Sequence, residues 1–325
     1  MAAAEDDDGG QKQQQQPSDI IPKTPPTAIG ALLPRKGTEI VVAGQLVNAN
    51  TRVVTFLDAD GFSAYTGCPH PTQPSELAMD APRFGVRRVQ TQCVPNSRWT
   101  LQALQQQIHQ LVVHYDACGT AQKCFKVLHH ERGLSCHFII DLDGVIYQTL
   151  DVRERAWHAT VANDASVGVE LSNVGCVPAD ESSSLLEAWY RAEDGELTPP
   201  PPSPPRTSEG EDDSSPDKKI TKRTPLRSAQ SKPVHGTVHD QRLRMYDYTD
   251  QQYEALANLL AALSTVLPRI RLQYPQANTK LPDDVRNAHE GILGHYHVQT
   301  NKVDPGPAMQ WERVCKRAAR LCTNL

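Results

Sequence analysis

Residues 291–311 read GILGHYHVQTNKVDPGPAMQW, and this stretch organises the rest of the chain. Ile292-Leu293-Gly294 is a short apolar run that delivers His295; Lys302 and Asp304 follow, then Pro305-Gly306-Pro307. An imidazole nitrogen and a carboxylate oxygen suit a zinc ion that still lacks a third protein ligand and a water. Lys302 places a cation beside them. The Pro-Gly-Pro run stiffens the backbone just past the carboxylate, so that Asp304 is held in one pose.

The third ligand is expected from elsewhere. In Leu111-Val112-Val113-His114-Tyr115-Asp116 a run of buried-type strand residues ends on a histidine. Val167-Gly168-Val169-Glu170-Leu171 ends a similar run on a carboxylate. Two histidines, an aspartate, a glutamate and a lysine thus fall at strand ends or just beyond, where open α/β sheets build their sites. Two histidines and a carboxylate leave a coordination position open for water, the mark of a catalytic rather than a structural zinc.

VVHYDA around His114, CHFIIDLDGVIYQ (136–148), RAWHA (155–159), NDASVGVEL (163–171) and GHYHVQTNKVDPGP (294–307) resemble, in order, the motif series of zinc N-acetylmuramoyl-L-alanine amidases. That superfamily includes AmpD-like enzymes, phage amidase-lysozymes and peptidoglycan recognition proteins. The resemblance runs collinearly from about 96 to 325 with one long interruption. It implies zinc on His114, His295 and Asp304, with Glu170 as general base and Lys302 stabilising the oxyanion. The implied reaction cleaves the amide between the muramic acid lactyl group and L-alanine, in peptidoglycan or in soluble muropeptides. His137, Trp157, His158 and Asn163 would line the substrate groove or orient the ligands.

Three departures qualify the resemblance. The segment from His295 to Asp304 is one residue shorter than is usual in AmpD-like enzymes, and His297 is an alternative ligand. Cys136 stands where phage amidases carry a catalytic tyrosine, which places the chain with the glutamate-dependent AmpD-like branch. Cys118 and Cys124 match a pair that is bridged in peptidoglycan recognition proteins; reduced, buried thiols are the other reading. A recognition protein that binds peptidoglycan without cleaving it is the alternative function, disfavoured by the presence of all five residues. A scaffold that recruits partners through its Pro-rich insert is a third.

Composition bounds these readings. The chain has 325 residues and a formal net charge of −5, so it carries no nucleic-acid footprint. Its mean hydropathy of −0.51 implies that part of it lies outside a packed core. No apolar run approaches transmembrane length. MAAAEDDDGGQKQQQQP lacks a signal-peptide apolar region, so the cytoplasm is the default expectation, with export implied only if Cys118 and Cys124 are bridged. A monomer is expected.

The expected fold is α/β, a central mixed β-sheet with helices on both faces. Five segments follow from composition: a disordered tail (1–36), a small β-rich segment that packs on or extends the domain (37–95), the first part of the amidase domain (96–196), a disordered Pro-rich insert (197–232) and the second part (233–325). Leu101–Gln110, Ala121–Arg132 and a long segment capped by Thr249 read as helices. Asp143-Gly144 reads as a hairpin turn between Cys136–Leu142 and Val145–Leu150. Cys68, His70 and Cys93 fit no zinc module. The basic run Lys218–Arg223 reads as a solvated linker, with nuclear import as the sharper alternative.

Overall fold

The computed structural model describes residues 35–66, 83–89, 92–198 and 225–323. The expected N-terminal tail up to residue 34, Cys68 and His70, and the core of the Pro-rich insert lie outside these residues.

The chain enters through a hairpin of β1 (Glu39–Val42) and β2 (Gln45–Asn48), then β3 (Val53–Thr55). Short strands β4 (Phe84–Gly85), β5 (Arg88–Val89) and β6 (Gln92–Cys93) follow. Helix α1 (Leu101–Gln107), capped by the Thr100 side chain, leads into β7 (Gln110–Tyr115). Helix α2 (Ala121–Phe125), β8 (Phe138–Ile140), β9 (Ile146–Gln148), β10 (Arg155–Ala156) and β11 (Ser166–Leu171) come next. Beyond β12 (Val177–Pro178) and α3 (Ser184–Trp189), the chain returns as the hairpin β13 (Val234–Val238) and β14 (Gln241–Met245). It ends with α4 (Asp250–Val266), α5 (Asp283–Ala288), β15 (Gly291–Gly294) and α6 (Trp311–Cys322).

Six strands form one mixed sheet in the order β15-β7-β11-β8-β9-β3. β15, β7, β11 and β8 run parallel, β9 turns back antiparallel, and β3 closes the edge parallel to β9. The segment expected as accessory therefore supplies the sheet's own edge strand, and β4 pairs with β10. The Asp143-Gly144 turn has Gly144 at φ +82°, where a Cβ would lie 2.6 Å from the Gln251 carbonyl oxygen.

Alternation sorts the two faces. Leu111 and Val113, Phe138 and Ile140, Val167, Val169 and Leu171, and Ile292 all point into the main core, packed against α4, α6 and α1. Val112 and Leu293 point the other way, into a small cluster with Ala159, Ala162, Leu281 and Val298. His114 and Glu170 share that second face by parity. One face is therefore hydrophobic ballast, and the other is free to carry polar groups.

Two helices differ from the sequence expectation. α1 stops at Gln107 because Ile108 is already extended and buries its side chain in the core. The helix expected to Arg132 changes after Phe125, where hydrogen bonding widens to i→i+5 over Lys126–Glu131. There the His129 ring stacks on Phe125 with centroids 4.8 Å apart, and its Nε2 lies 3.3 Å from the Thr66 carbonyl. Gly133, in the left-handed region, follows as the stop.

The long helix α4 opens on a reciprocal cap. The Thr249 hydroxyl accepts from Gln252 N–H at 3.1 Å, and Gln252 Oε1 accepts from Thr249 N–H at 3.0 Å. The same hydroxyl donates to the Leu142 carbonyl, tying the helix to the β8–β9 turn. Thr249→Ala should lower the unfolding free energy by about 1–2 kcal/mol; equilibrium urea denaturation followed by circular dichroism measures it.

Candidate functional site

Parallel register builds the site. Glu170 on β11 is the direct neighbour of His114 on β7, and Gly294 on β15 is the neighbour of Val113. The residue after Gly294 is therefore delivered beside His114. The His114 and His295 rings lie edge to face with centroids 4.4 Å apart. Gly294 matters at this point because a Cβ there would stand 2.8 Å from Pro305 Cδ. Only a bare backbone lets the loop bearing Asp304 fold against the strand.

That loop is fastened at several points. The Tyr296 N–H donates to the Asp304 carbonyl at 3.1 Å, and the Tyr248 hydroxyl donates to the Pro305 carbonyl at 2.7 Å. The Tyr253 hydroxyl donates to Asp247 Oδ1 and also reaches the Ala308 carbonyl, while the Gln310 amide donates to Asp247 Oδ2. Asp247, Tyr248 and Tyr253 thus hold the 304–310 segment from the main-core side.

The side chains converge. His114 Nδ1 lies 2.9 Å and His295 Nδ1 3.0 Å from the same atom, Asp304 Oδ2. All three residues are buried, and their ligand atoms lie within 4.8 Å of one another. Among the described residues this is the one such group of histidine, cysteine and carboxylate side chains. His297 does not join it. Its Nδ1 accepts from the Gly294 N–H and its Nε2 faces the Ala277 carbonyl at 2.7 Å, so neither nitrogen is free.

The hydrogen-bond pattern tests whether a cation fits. His295 Nε2 lies 2.7 Å from Gln299 Oε1, an acceptor, so the Nε2 carries the proton and Nδ1 a lone pair. Burial lowers the pKa of His114 to about 4, so its ring is neutral near pH 7. Burial raises the Asp304 carboxyl, but the two histidine contacts outweigh it and hold the group below the ordinary carboxylate range. Asp304 Oδ2 is thus faced by the bare Nδ1 of His295 and by the Nδ1 of a neutral His114. This donor set fits a divalent cation.

Glu170 stands beside this group. It is 7% exposed, and its Oε2 is buried with no hydrogen-bond partner. Burial pushes its carboxyl well above the usual range, reinforced by the charges of Asp304 and Asp116, while Lys302 and Arg132 pull it down. Lys302 is half-buried on the loop before Asp304.

The four residues expected to line the groove or orient the ligands take different places. His137 is fully buried. Its Nδ1 accepts from the Gly168 N–H at 3.0 Å, and its Nε2 lies 3.1 Å from the Glu154 carbonyl, so it pins two segments together and is closed to substrate. Asn163 Oδ1 accepts from the His158 and Ala159 N–H groups, which fixes the loop rather than facing outward. His158 packs directly on His114, with 3.0 Å between His158 Nδ1 and His114 Nε2. Trp157 is half-buried.

Cys118 and Cys124 are free thiols, the second of the two readings of the pair. Both sulfurs are buried with Ala121 and Ile139 in an apolar cluster, and burial raises both thiols. Cys136 is likewise free and fully buried, with its thiol pushed up. Burial favours the protonated thiol at all three positions.

An α/β sheet with ligand-capable atoms and an unpaired carboxylate gathered at its strand ends has the layout of a hydrolase site. Residues 104–205 match the family model described as N-acetylmuramoyl-L-alanine amidase. Over that stretch the chain is similar to the N-acetylmuramoyl-L-alanine amidases. The matched stretch spans less than half of the chain and includes His114, His158 and Glu170. The fold adds His295, Lys302 and Asp304 from outside it.

Several solved structures are similar. An AmpD derivative is 20% identical, with 66% of this chain and 86% of that chain covered and a TM-score of 0.31. The endolysin amidase LysCS from Clostridium intestinale is 16% identical (67% and 86% covered, TM-score 0.33). AmiD from E. coli, in complex with anhydro-N-acetylmuramic acid-L-Ala-D-γ-Glu-L-Lys, is 16% identical (72% and 65% covered, TM-score 0.37). No curated protein matches the sequence. Among the described residues no helix is long and apolar enough to cross a membrane.

Sequence reasoning passed over Gln299, Ser166 and Gly168. Gln299 sits four residues after His295, and an isolated glycine inside a strand pattern signals close approach from the side. For the thiols, alkylation of the denatured, unreduced protein should label both Cys118 and Cys124, read by peptide mass spectrometry; a linked peptide pair would contradict the free-thiol assignment.

Proposed function

We propose that the protein is a zinc-dependent N-acetylmuramoyl-L-alanine amidase that hydrolyses the amide between the lactyl group of N-acetylmuramic acid and L-alanine in peptidoglycan or muropeptides. One observation carries this reading: two imidazole Nδ1 atoms meet one Asp304 oxygen beside a buried glutamate oxygen that has no partner. His114, His295 and Asp304 would hold the ion. Zinc, when bound, acidifies a water and polarises a carbonyl.

The chain's own groups do the rest. Glu170 is buried, close to His114, and has an oxygen to spare. It takes the proton of the attacking water at Oε2 and returns it to the leaving amine nitrogen. Its raised affinity for a proton suits both halves of that transfer. Lys302 reaches in from the loop that carries Asp304 and offsets the negative charge that develops on the carbonyl oxygen. Buried walls keep bulk water from screening these charges.

The test is zinc analysis combined with digestion of soluble anhydro-muropeptide and of intact peptidoglycan. Wild type should hold one zinc and release L-alanine-terminated peptide from at least one of the two. Glu170→Gln should lower kcat by about 10²–10⁴-fold at unchanged zinc content. Chelation should abolish turnover, and added zinc should restore it. Full turnover by Glu170→Gln would refute the assigned base. A protein that binds muropeptides tightly without cleaving them would make the chain a recognition module instead.

A further inference from the structure

We propose that His158 is a positioning residue that fixes the tautomer of His114, so that His114 Nδ1 presents a free lone pair to the cation. The inference rests on the zinc reading and extends it to a residue that touches neither the cation nor substrate.

A hydrogen-bond chain whose direction cannot be reversed carries it. The Ala162 carbonyl can only accept. The Ser166 hydroxyl lies 2.7 Å from it and has a single proton, which it donates there. Ser166 Oγ, 3.2 Å from His158 Nε2, is then left to accept, so His158 carries its proton on Nε2. His158 Nδ1 is therefore an acceptor. It lies 3.0 Å from His114 Nε2, which must be the donor. With the His114 proton on Nε2, Nδ1 is bare, and it is the atom that faces Asp304 Oδ2 at 2.9 Å. A backbone carbonyl three hydrogen bonds away thus sets which nitrogen of His114 can ligate.

The surroundings are built for this ring. A Cβ at Gly168 would lie 2.6 Å from His158 Cγ and 2.7 Å from its Nδ1, so the strand carries glycine where the imidazole rests on it. From the other side Asn163 Oδ1 accepts from the His158 backbone N–H at 3.2 Å and from Ala159 N–H at 2.7 Å. The His114 and His158 rings cross at 83° with centroids 5.2 Å apart. Both ring nitrogens of His158 are spent inside the protein, which leaves none to hold substrate. Ser166, Gly168 and His158 thus form one device, and Glu170 continues the same strand face.

Zinc affinity by chelator competition, together with kcat and KM on anhydro-muropeptide, tests the proposal. His158→Leu should weaken zinc binding by about 10–100-fold with KM unchanged. His158→Asn, whose amide oxygen falls near the place of Nδ1, should recover most of that loss, and Ser166→Ala should show a smaller loss. A His158→Leu protein that keeps wild-type zinc affinity overturns the proposal, as does one whose KM rises at unchanged affinity, since that is a substrate contact. Proton and nitrogen NMR of the zinc-loaded wild type needs no variant: the His114 proton is expected on Nε2, and a proton on Nδ1 overturns the proposal. Wild type that binds no zinc would overturn both this and the amidase reading, whereas zinc-bound, active wild type with indifferent variants would overturn this one alone.

Discussion

The pairing of β7 with a parallel neighbour on each side is the constraint from which the rest of the site follows. A parallel ladder aligns strand ends, so residues distant in sequence arrive in one row. His114 and Glu170 sit side by side by register, and the backbone leaving β15 brings His295 to the other flank. Slipping either pairing by one residue would turn His114 or Glu170 into the apolar core behind the sheet. That core, filled by α4, α6 and the odd-numbered residues of β7 and β11, makes such a slip costly.

Burial then shapes the chemistry. Groups that would be ordinary on a surface become demanding once desolvated. The fold meets this demand with dense hydrogen bonding around the loops that carry His158 and Asp304. Arg87, fully buried, spends its guanidinium on the carbonyls of Val152, Asn163, Asp164 and Ser166 and so binds the loop containing His158 to the sheet. Asp247 does the same for the loop of Asp304. Glu170 keeps an oxygen unsatisfied. The long insert leaves this framework intact because its flanks are tied together: Leu197 N–H donates to the Leu226 carbonyl, and Arg227 pairs with Glu196.

Much of this was legible in the sequence because its signals are local. Apolar runs ending on His114 and Glu170, the Asp-Gly turn and the Thr249 cap each announce themselves within a few residues, and the family resemblance linked the candidate ligands across the chain. Long-range facts were not legible. Nothing in Val53-Val54-Thr55 says that it closes the sheet beside β9. The widening of the helix after Phe125 follows from a ring stack and a bond to Thr66, both tertiary. His137, His158 and Asn163 were recognised as belonging to the site, but whether a side chain faces substrate or holds its neighbour depends on its orientation. Cys118 and Cys124 have a spacing compatible with a bridge; their apolar surroundings favour thiols instead.

Zinc-edge X-ray absorption of the purified protein addresses the ligand set itself. The account predicts one zinc with two imidazole nitrogens and a carboxylate oxygen at about 2.0–2.2 Å, and loss of the oxygen contribution in Asp304→Ala. Sulfur scattering at about 2.3 Å, or a protein that retains no zinc, would contradict it.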